Sequence, residues 1–356
     1  MESNRAEDRY EMPLSTRLQL KKKQYGLVGK QASVKICLWT KKALKREYVC
    51  YKQRFYGAET HRCAEITPIT AICSQNCIYC WRPMEWMKFY EPKEDEVDDP
   101  KEIIEGILKE RRQLLSGFKG NEKVDQKLLE ESYDPSHWAI SLSGEPTLYP
   151  RLHELIKLLW NRKSTKTIFV VSNGEHPETF MKMYEYEKGM PSQIYISLDA
   201  PNEELFKKIN RPVYKDGWER LIKTLTILSK MPVRKVARLT LIKGLNDSEE
   251  YMPEFAKIFE LGNFDFIEIK AFMLLGYSRR RLSIDNMPTH NEIKEYAEKL
   301  LRYLPNYRYE DEVRMSRIVL LRNIFSPWPR YIREVPMHVK DIPSDKDDEN
   351  MEMEDE

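Results

Sequence analysis

The sequence predicts an α/β protein whose core is an open, partial barrel of six β-α units. From about residue 66 onwards, short segments rich in β-branched residues alternate with amphipathic segments of helical periodicity, which is typical of parallel βαβ units. The residues that follow the predicted strands are polar, glycine-bearing and acidic, as expected where parallel α/β folds carry their chemistry. Six units are fewer than a closed eight-stranded barrel needs, so we expect the barrel to stay open.

Strands and helices alternate along this predicted barrel. Within Asp216–Ser229, for example, Leu221, Leu225 and Leu228 recur at the spacing of one helix face. The predicted strands are Ile66–Ile72, Trp138–Leu142, Thr167–Val171, Gln193–Leu198, Val236–Ile242 and Asp265–Phe272. The predicted helices are Lys101–Leu115, Arg151–Asn161, Pro177–Glu187, Asp216–Ser229, Tyr251–Leu261 and Thr289–Leu301.

Four segments are expected along the chain. A basic N-terminal extension covers 1–65 and the barrel covers 66–310. A C-terminal extension that packs on the barrel covers 311–340, and an acidic, disordered tail covers 341–356. The apolar run Ile318–Leu321 is expected to add a strand or to pack against the barrel.

Composition points to the cytosol. No apolar run reaches the roughly 18 residues that a membrane span needs, and the N-terminus lacks the apolar core of a secretory signal. We therefore expect a cytoplasmic protein without a membrane partner. Thiols stay reduced in that compartment, so clustered cysteines there more often bind metal or do chemistry than form disulfides.

Charge is unevenly distributed although the formal net charge is only +2. The tail from Asp341 to Glu356 has nine acidic residues and one lysine, whereas residues 1–56 have fourteen Lys or Arg and five Asp or Glu. A basic arm of this kind is compatible with an RNA partner, and a merely solvated arm is the open alternative.

Cys73, Cys77 and Cys80 form a C-x3-C-x2-C loop after the first predicted strand. Three thiolates on one tight loop suit an iron–sulfur cluster or a soft metal, and they leave one coordination position open. A zinc loop that borrows a distant fourth ligand is the alternative.

This spacing resembles the signature of the radical S-adenosylmethionine (SAM) superfamily, which includes an aromatic residue at the position of Tyr79. The resemblance implies a partial TIM-type barrel and a [4Fe–4S] cluster on the three cysteines, with SAM chelating the fourth iron. One electron from that cluster would cleave SAM to methionine and a deoxyadenosyl radical.

Further residues at the predicted strand ends extend this resemblance. The stretch SLSGEPT is similar to the superfamily's GGE element, with Ser143 replacing the first glycine and Gly144 and Glu145 retained. It would hold the amino group of SAM. Asn173 and Ser197 would lie near its ribose and carboxylate. Arg238 is expected to pair with the carboxylate, with a purely structural role as the alternative.

Cys37, Cys50 and Cys63 form a second trio, spaced C-x12-C-x12-C. From the residues alone, they could be buried and inert, they could bind zinc with His61, or they could hold a second cluster.

The trio followed by the cysteine loop, SGEPTLYP, SNG and SLDAP resembles the archaeal tRNA 4-demethylwyosine synthase family over about residues 25 to 330. The resemblance implies a second [4Fe–4S] cluster on the trio and Lys52 as the amine that forms a Schiff base with pyruvate. The substrate would be tRNA-Phe that contains N1-methylguanosine, and the product a tricyclic base. Because the chain begins close to its cysteines, we expect an external electron donor, and we expect a monomer.

The loop that follows the sixth predicted strand contains three consecutive arginines, Arg279, Arg280 and Arg281, beside a tyrosine. We expect them to bind tRNA phosphates and to stack on a base, with Lys21, Lys22 and Lys23 adding backbone contacts. Two other functions stay open: a radical SAM enzyme that acts on another substrate, and a zinc-bearing RNA-binding protein without catalysis.

Overall fold

One mixed sheet organises the chain. The computed structural model describes residues 12–82 and 89–332, so the predicted acidic tail at 341–356 lies outside the described residues. The strands are β1 Gly26–Val28, β2 Ala32–Lys35, β3 Cys63–Thr67, β4 His137–Ile140, β5 Thr167–Ser172, β6 Gln193–Ser197, β7 Arg234–Leu241, β8 Phe266–Ala271, β9 Tyr307–Val313 and β10 Ile318–Asn323.

The sheet is open, as predicted. Its order is β1-β2-β3-β4-β5-β6-β7-β8-β10-β9, so β1 and β9 lie at opposite edges and do not pair across the described part of the chain. The strands from β3 to β8 are parallel neighbours and correspond to the six predicted units. Antiparallel pairs of strands extend both edges. The apolar run Ile318–Leu321 forms most of β10, so the added strand, one of its two expected outcomes, is confirmed.

The bounds of the first barrel strand were predicted wrongly. We expected Ile66–Ile72, whereas β3 begins at Cys63 and ends at Thr67. Pro68 follows at once and has no N–H group to donate to a ladder. Ala71 then adopts a left-handed φ of 62°. The extended stretch therefore turns into a loop before it reaches the cysteines.

Helices pack on both faces of the sheet, and most of them cover one face. They are α1 Leu14–Lys22, α2 Leu38–Leu44, α3 Tyr51–Tyr56, α4 Pro100–Ser116, α5 Gln126–Ser132, α6 Leu152–Trp160, α7 Pro177–Glu185, α8 Glu203–Ile209, α9 Gly217–Ser229, α10 Met252–Gly262 and α11 His290–Leu300. Alternate strand residues such as Ile194, Leu239 and Ile267 join the large apolar cluster that contains α6, α9 and α10. None of the helices in residues 12–82 and 89–332 has the length and hydropathy of a membrane span.

The opposite face of the sheet packs against α3. Phe169 on β5, Tyr195 on β6 and Phe266 on β8 form a separate apolar cluster with Phe55 and Tyr56 of this short helix. The helix begins after Cys50 and ends at Gly57, whose φ of 77° is the left-handed conformation that favours glycine. α3 therefore occupies the concave side of the barrel.

The last described residues donate hydrogen bonds to the backbone of α3. Arg330 donates to the backbone carbonyls of Arg54 and Phe55 over 3.2 and 3.3 Å. The amide of Ile332 donates to the carbonyl of Tyr56 over 3.1 Å. An N-terminal helix and the C-terminal segment thus stabilise each other on the concave side.

Candidate active site

The cysteine loop is held by backbone hydrogen bonds to the residues that follow α8. The amide of Asn76 donates to the carbonyl of Asn210 over 3.0 Å, and the amide of Ile78 donates to that of Ile209 over 2.9 Å. The side-chain amide of Asn210 lies 3.7 Å from the sulfur of Cys77. The loop that the sequence predicts to bind a cluster is therefore fixed along one side.

The three cysteines of this loop are half-buried. Burial raises the pKa of Cys73 well above its usual value, and the nearby Glu145 carboxylate raises it further. Burial also raises the pKa of Cys77, and the nearby Cys73 and Cys80 raise it further. Such thiols become thiolates only beside a strong positive charge, which the irons of a cluster provide.

The cysteine loop provides three thiol groups within eight residues. Within residues 12–82 and 89–332, no group of three His, Cys, Asp or Glu side chains is arranged to hold a single metal ion. In a cubane each thiolate binds a different iron, and three thiols on one loop are a donor set that suits such a cluster.

Tyr79 and Asp199 connect the cysteine loop to the ends of the strands. The Tyr79 hydroxyl donates to Oδ2 of Asp199 over 2.5 Å, and the amide of Thr240 donates to Oδ1 over 2.7 Å. Asn210 adds a longer contact of 3.4 Å to Oδ2. The carboxylate of Asp199, which is 1 % exposed, thus joins the cysteine loop to β6 and β7.

Ser143, Gly144 and Glu145 form a tight turn at the end of β4. Gly144 has a φ of 77°, and a Cβ atom there would lie 2.4 Å from the carbonyl oxygen of Ile72, so only glycine fits. The Glu145 carboxylate accepts from the hydroxyl of Thr147 over 2.6 Å and from the amide of Asn173 over 2.7 Å. Among the described residues, none is a hydrogen-bond partner of the buried hydroxyl of Ser143, as expected of a group that meets a ligand.

Asn173 belongs to a polar cluster that includes residues the sequence did not single out. Its side-chain amide donates to the hydroxyl of Ser74 over 2.9 Å, and Ser74 donates to Oε2 of Glu175 over 2.5 Å. Burial raises the pKa of Glu175 to about 8. Glu175 directly follows the SNG segment, and that position was the only sequence signal for it.

The three cysteines of the second trio lie at the starts of three different elements. Cys37 caps the N-terminus of α2, where its thiol accepts from the amide of Thr40 over 3.4 Å. Cys50 is the N-cap residue of α3, and Cys63 is the first residue of β3. Burial raises the pKa of Cys63 to about 12 and also raises that of Cys50, while the positive charge of Lys52 lowers both. Cys50, Cys63 and Lys52 therefore lie close together.

Arg111 lies near the same trio, although nothing in its sequence context singled it out. Its side chain is fully buried on α4 and donates to the carbonyls of Ser132 and His61, each over 3.2 Å. Burial lowers its pKa to about 10, and the nearby Cys63 and Cys37 raise it. Its Nη1 atom has no hydrogen-bond partner within the part of the chain that the structure describes. A buried cation with a spare donor fits a site for an anionic cluster.

His61, the zinc ligand of one alternative, interacts with a carboxylate. Its Nε2 atom lies 2.8 Å from Oε2 of Glu131 on α5. Burial lowers the pKa of the imidazole, and the Glu131 carboxylate opposes that shift. In the described structure the ring therefore faces a carboxylate.

Lys52 is directed into the concave side of the barrel. Its Nζ atom lies 5.1 Å from the ring centre of Phe169 and 4.9 Å from that of Tyr195, and the residue is 9 % exposed. Lys270 on β8 is a second amine in this region, with its Nζ atom 2.8 Å from the carbonyl oxygen of Ser316. Burial lowers its pKa to about 8, as does the charge of Arg238.

Arg238 forms a buried ion pair with Glu268. Its Nε and Nη2 atoms lie 3.2 and 3.1 Å from Oε2 of Glu268, and Nη2 also donates to the hydroxyl of Tyr51. Ser197 is its register partner on β6. Both predicted SAM contacts therefore lie on adjacent strands, and their role toward SAM stays a prediction.

The three arginines after β8 have different surroundings. Arg279 and Arg280 are exposed, and the Arg280 guanidinium lies 4.8 Å from the ring centre of Tyr277. Lys23 lies 6.0 Å from the same ring, so the two predicted basic segments meet there. Arg281 is half-buried and donates to backbone carbonyls of the cysteine loop.

Comparison with known proteins defines the class. Residues 67–256 match the family described as the radical SAM superfamily, and residues 261–323 match the family described as wyosine base formation. The open barrel with a cysteine loop after its first parallel strand is thus the fold of a radical SAM protein.

Similar proteins narrow the assignment. The chain is 45% identical to the S-adenosyl-L-methionine-dependent tRNA 4-demethylwyosine synthase of Pyrococcus abyssi, over 87% of this chain and 89% of that protein. The enzyme of Methanocaldococcus jannaschii is 40% identical, over 85% and 94%. The chain belongs to the S-adenosyl-L-methionine-dependent tRNA 4-demethylwyosine synthase family.

Two solved structures have the same fold. A structure of TYW1 with a lysine–pyruvate adduct bound matches with a TM-score of 0.76 and 37% identity, over 88% of this chain and 97% of that chain. The crystal structure of archaeal TYW1 matches with a TM-score of 0.72 and 34% identity, over 90% and 99%.

Proposed function

We propose that the protein condenses N1-methylguanosine, next to the anticodon of tRNA-Phe, with pyruvate to form 4-demethylwyosine. In this reaction it would act as a carbon–carbon lyase that uses SAM and two [4Fe–4S] clusters. The observation that carries the proposal is the position of Lys52, a buried amine on the helix that begins at Cys50. The lysine–pyruvate adduct in the structure of a relative supports a lysine as the group that holds pyruvate.

Each cysteine trio would hold one cluster. Cys73, Cys77 and Cys80 would hold the cluster that supplies the electron for SAM cleavage when bound. The unpartnered hydroxyl of Ser143 and the carboxylate of Glu145 would orient SAM, since both are buried beside this loop. The other trio would hold the second cluster with Arg111 as its neighbouring cation.

Lys52 would bind pyruvate covalently. Its amine attacks the C2 carbonyl carbon, and loss of one water leaves an imine. The amine lies over the rings of Phe169 and Tyr195 and the residue is 9 % exposed, so this apolar, largely buried position would limit the access of water to the imine. After the base has joined C2, carbon–carbon scission would release the pyruvate carboxyl carbon. The exocyclic amine of the base would then displace the Lys52 amine and close the ring as a new imine.

The exposed basic residues around Tyr277 would bind the tRNA. Lys21, Lys22, Lys23, Arg279 and Arg280 are exposed, and Lys23 and Arg280 both lie over the Tyr277 ring. Phosphates would bind the cations and an unstacked base would stack on the ring. We expect the enzyme to act as a cytoplasmic monomer with an external electron donor.

The decisive experiment is an anaerobic assay of the reconstituted protein. SAM, pyruvate, dithionite and tRNA with N1-methylguanosine are supplied, and digested nucleosides are examined by mass spectrometry. A tricyclic base supports the proposal, together with about eight irons per chain. Methionine and deoxyadenosine without a tricyclic base would point to another substrate, and stoichiometric zinc to a binding module.

The lysine is identified by trapping. Protein incubated with pyruvate and cyanoborohydride is digested, and the modified peptide is located by mass spectrometry. We expect modification at Lys52 and its loss in Lys52→Arg. Lys270→Arg serves as the matched control, because Lys270 is a half-buried amine of the same region, and it should retain the adduct. Modification at Lys270 in the unaltered protein would refute the assignment.

A further inference from the structure

The cysteine loop makes hydrogen bonds on two sides. The end of α8 and the residue after it provide the bonds on one side. On the other side lies the loop over Gly276–Arg281, which follows β8. The amide of Tyr277 donates to the carbonyl oxygen of Trp81 over 3.0 Å. A Cβ atom at Gly276 would lie 2.6 Å from that same oxygen, so the two loops are in close backbone contact.

The side chain of Arg281 adds hydrogen bonds to this contact between the two loops. Its Nε atom donates to the carbonyl oxygen of Ile78 over 3.0 Å, and its Nη2 atom donates to the carbonyl oxygen of Cys80. Cys80 is one of the three cluster ligands and Ile78 follows another, Cys77. One planar guanidinium therefore fixes the turn that sets the relative positions of two ligands.

Among the described residues, the neighbouring arginines make other contacts. Arg280 is exposed and lies over the Tyr277 ring, and Arg279 is exposed with its Nε atom 3.2 Å from the carbonyl oxygen of Leu274. The arginine run thus divides into an outer pair beside Lys23 and an inner member on the cysteine loop.

We propose that Arg281 is a positioning residue for the SAM cluster, which fixes the Cys77–Cys80 turn, and that it makes no contact with tRNA. Outer-shell partners of metal ligands hold those ligands in the geometry that binding requires, and their loss typically costs about 10- to 100-fold in affinity or activity. We expect a loss of this size for SAM, because SAM binds at the iron whose position the turn determines.

The test compares Arg281→Met with Arg281→Lys and Arg280→Met in anaerobically reconstituted protein. SAM affinity is measured by equilibrium dialysis, tRNA-Phe affinity by filter binding, and iron by chemical assay. Arg281→Met should weaken SAM binding by about 10- to 100-fold with an unchanged tRNA Kd, and Arg281→Lys should restore part of the SAM affinity. Arg280→Met should raise the tRNA Kd and leave the SAM Kd unchanged.

Two results would overturn the proposal: an unchanged SAM Kd in Arg281→Met, or a rise in its tRNA Kd as large as that of Arg280→Met. If Arg281→Met fails to fold, the SAM Kd of Arg281→Lys decides, because a single ammonium cannot reproduce both guanidinium bonds. The tRNA measurement rests on the proposed function, whereas the SAM measurement does not. Failure of every variant to bind tRNA would therefore count against the proposed substrate and leave the role of Arg281 to be decided by SAM affinity.

Discussion

Tyr79 donates a hydrogen bond to Asp199 over 2.5 Å, and this bond joins the cysteine loop to the end of β6. Removing the hydroxyl in Tyr79→Phe leaves Oδ2 of the buried carboxylate with only the 3.4 Å contact from Asn210. An unsatisfied buried acceptor costs about 1–3 kcal/mol, so we expect the free energy of unfolding in urea to fall by that amount. Tyr303→Phe, at an exposed tyrosine, is the control, and equal stability of the two variants would contradict the prediction.

The Arg238–Glu268 pair predicts a larger effect. Glu268 is fully buried, and Glu268→Gln leaves the guanidinium without its counter-charge. Breaking one side of a buried pair typically costs about 3–5 kcal/mol, which urea unfolding would measure. The double variant Arg238→Met with Glu268→Met should cost less than Glu268→Gln alone, since neither charge is then left buried. A loss below about 1 kcal/mol in Glu268→Gln would show that solvent screens the pair.

Glu175 predicts a pH dependence of stability. Burial raises its pKa in the folded protein to about 8 from an ordinary value of 4.5. The unfolded chain therefore loses this proton at lower pH than the folded protein does. Between about pH 4.5 and pH 8 ionisation favours the unfolded state, and stability should decline as pH rises, by on the order of 1.4 kcal/mol per pKa unit.

The comparison that isolates this carboxyl is Glu175→Gln, which cannot ionise. Urea unfolding at pH 5 and pH 8 should show that the variant gains stability relative to the unaltered protein at the higher pH. Glu178→Gln, on the exposed side of α7, should follow the unaltered protein at both values. Parallel behaviour of all three proteins would show that Glu175 keeps an ordinary pKa.

Arg111 predicts a change in reduction potential. Reduction adds a negative charge to a cluster, and a nearby cation stabilises the reduced form. Arg111→Met should therefore lower the midpoint potential of the second cluster, which we propose is held by Cys37, Cys50 and Cys63, as measured by anaerobic titration with electron paramagnetic resonance. Arg112→Met removes an exposed cation one residue away and should have no such effect. A potential that is unchanged in Arg111→Met would place the guanidinium too far from the cluster.

Local patterns were sufficient to predict much of the fold. The six parallel strands follow from β-branched runs, and Cys73, Cys77 and Cys80 are close in sequence, so their proximity requires no tertiary information. Gly144 and Glu145 were selected through the resemblance to the GGE element, and the structure places them in a turn after β4, while their role toward SAM stays a prediction.

Long-range partnerships were not predictable in this way. Arg111 occurs in an amphipathic helix, where an arginine normally faces solvent, and only the packing of α4 against the cysteine trio buries it. Arg281 resembles Arg279 and Arg280 in sequence, and its distinct contacts depend on a loop about 200 residues away. Strand β3 began earlier than predicted because the effect of Pro68 was not weighed against the apolar residues around it.

The contact between Arg330 and the backbone of α3 has a consequence for biosynthesis. These residues are 276 positions apart, so the ribosome releases α3 long before it has made the segment that holds it. The helix that bears Lys52 therefore lacks these stabilising contacts through most of translation. We expect nascent chains that stop before Arg330 to leave this helix accessible to proteases, and the full-length product to protect it.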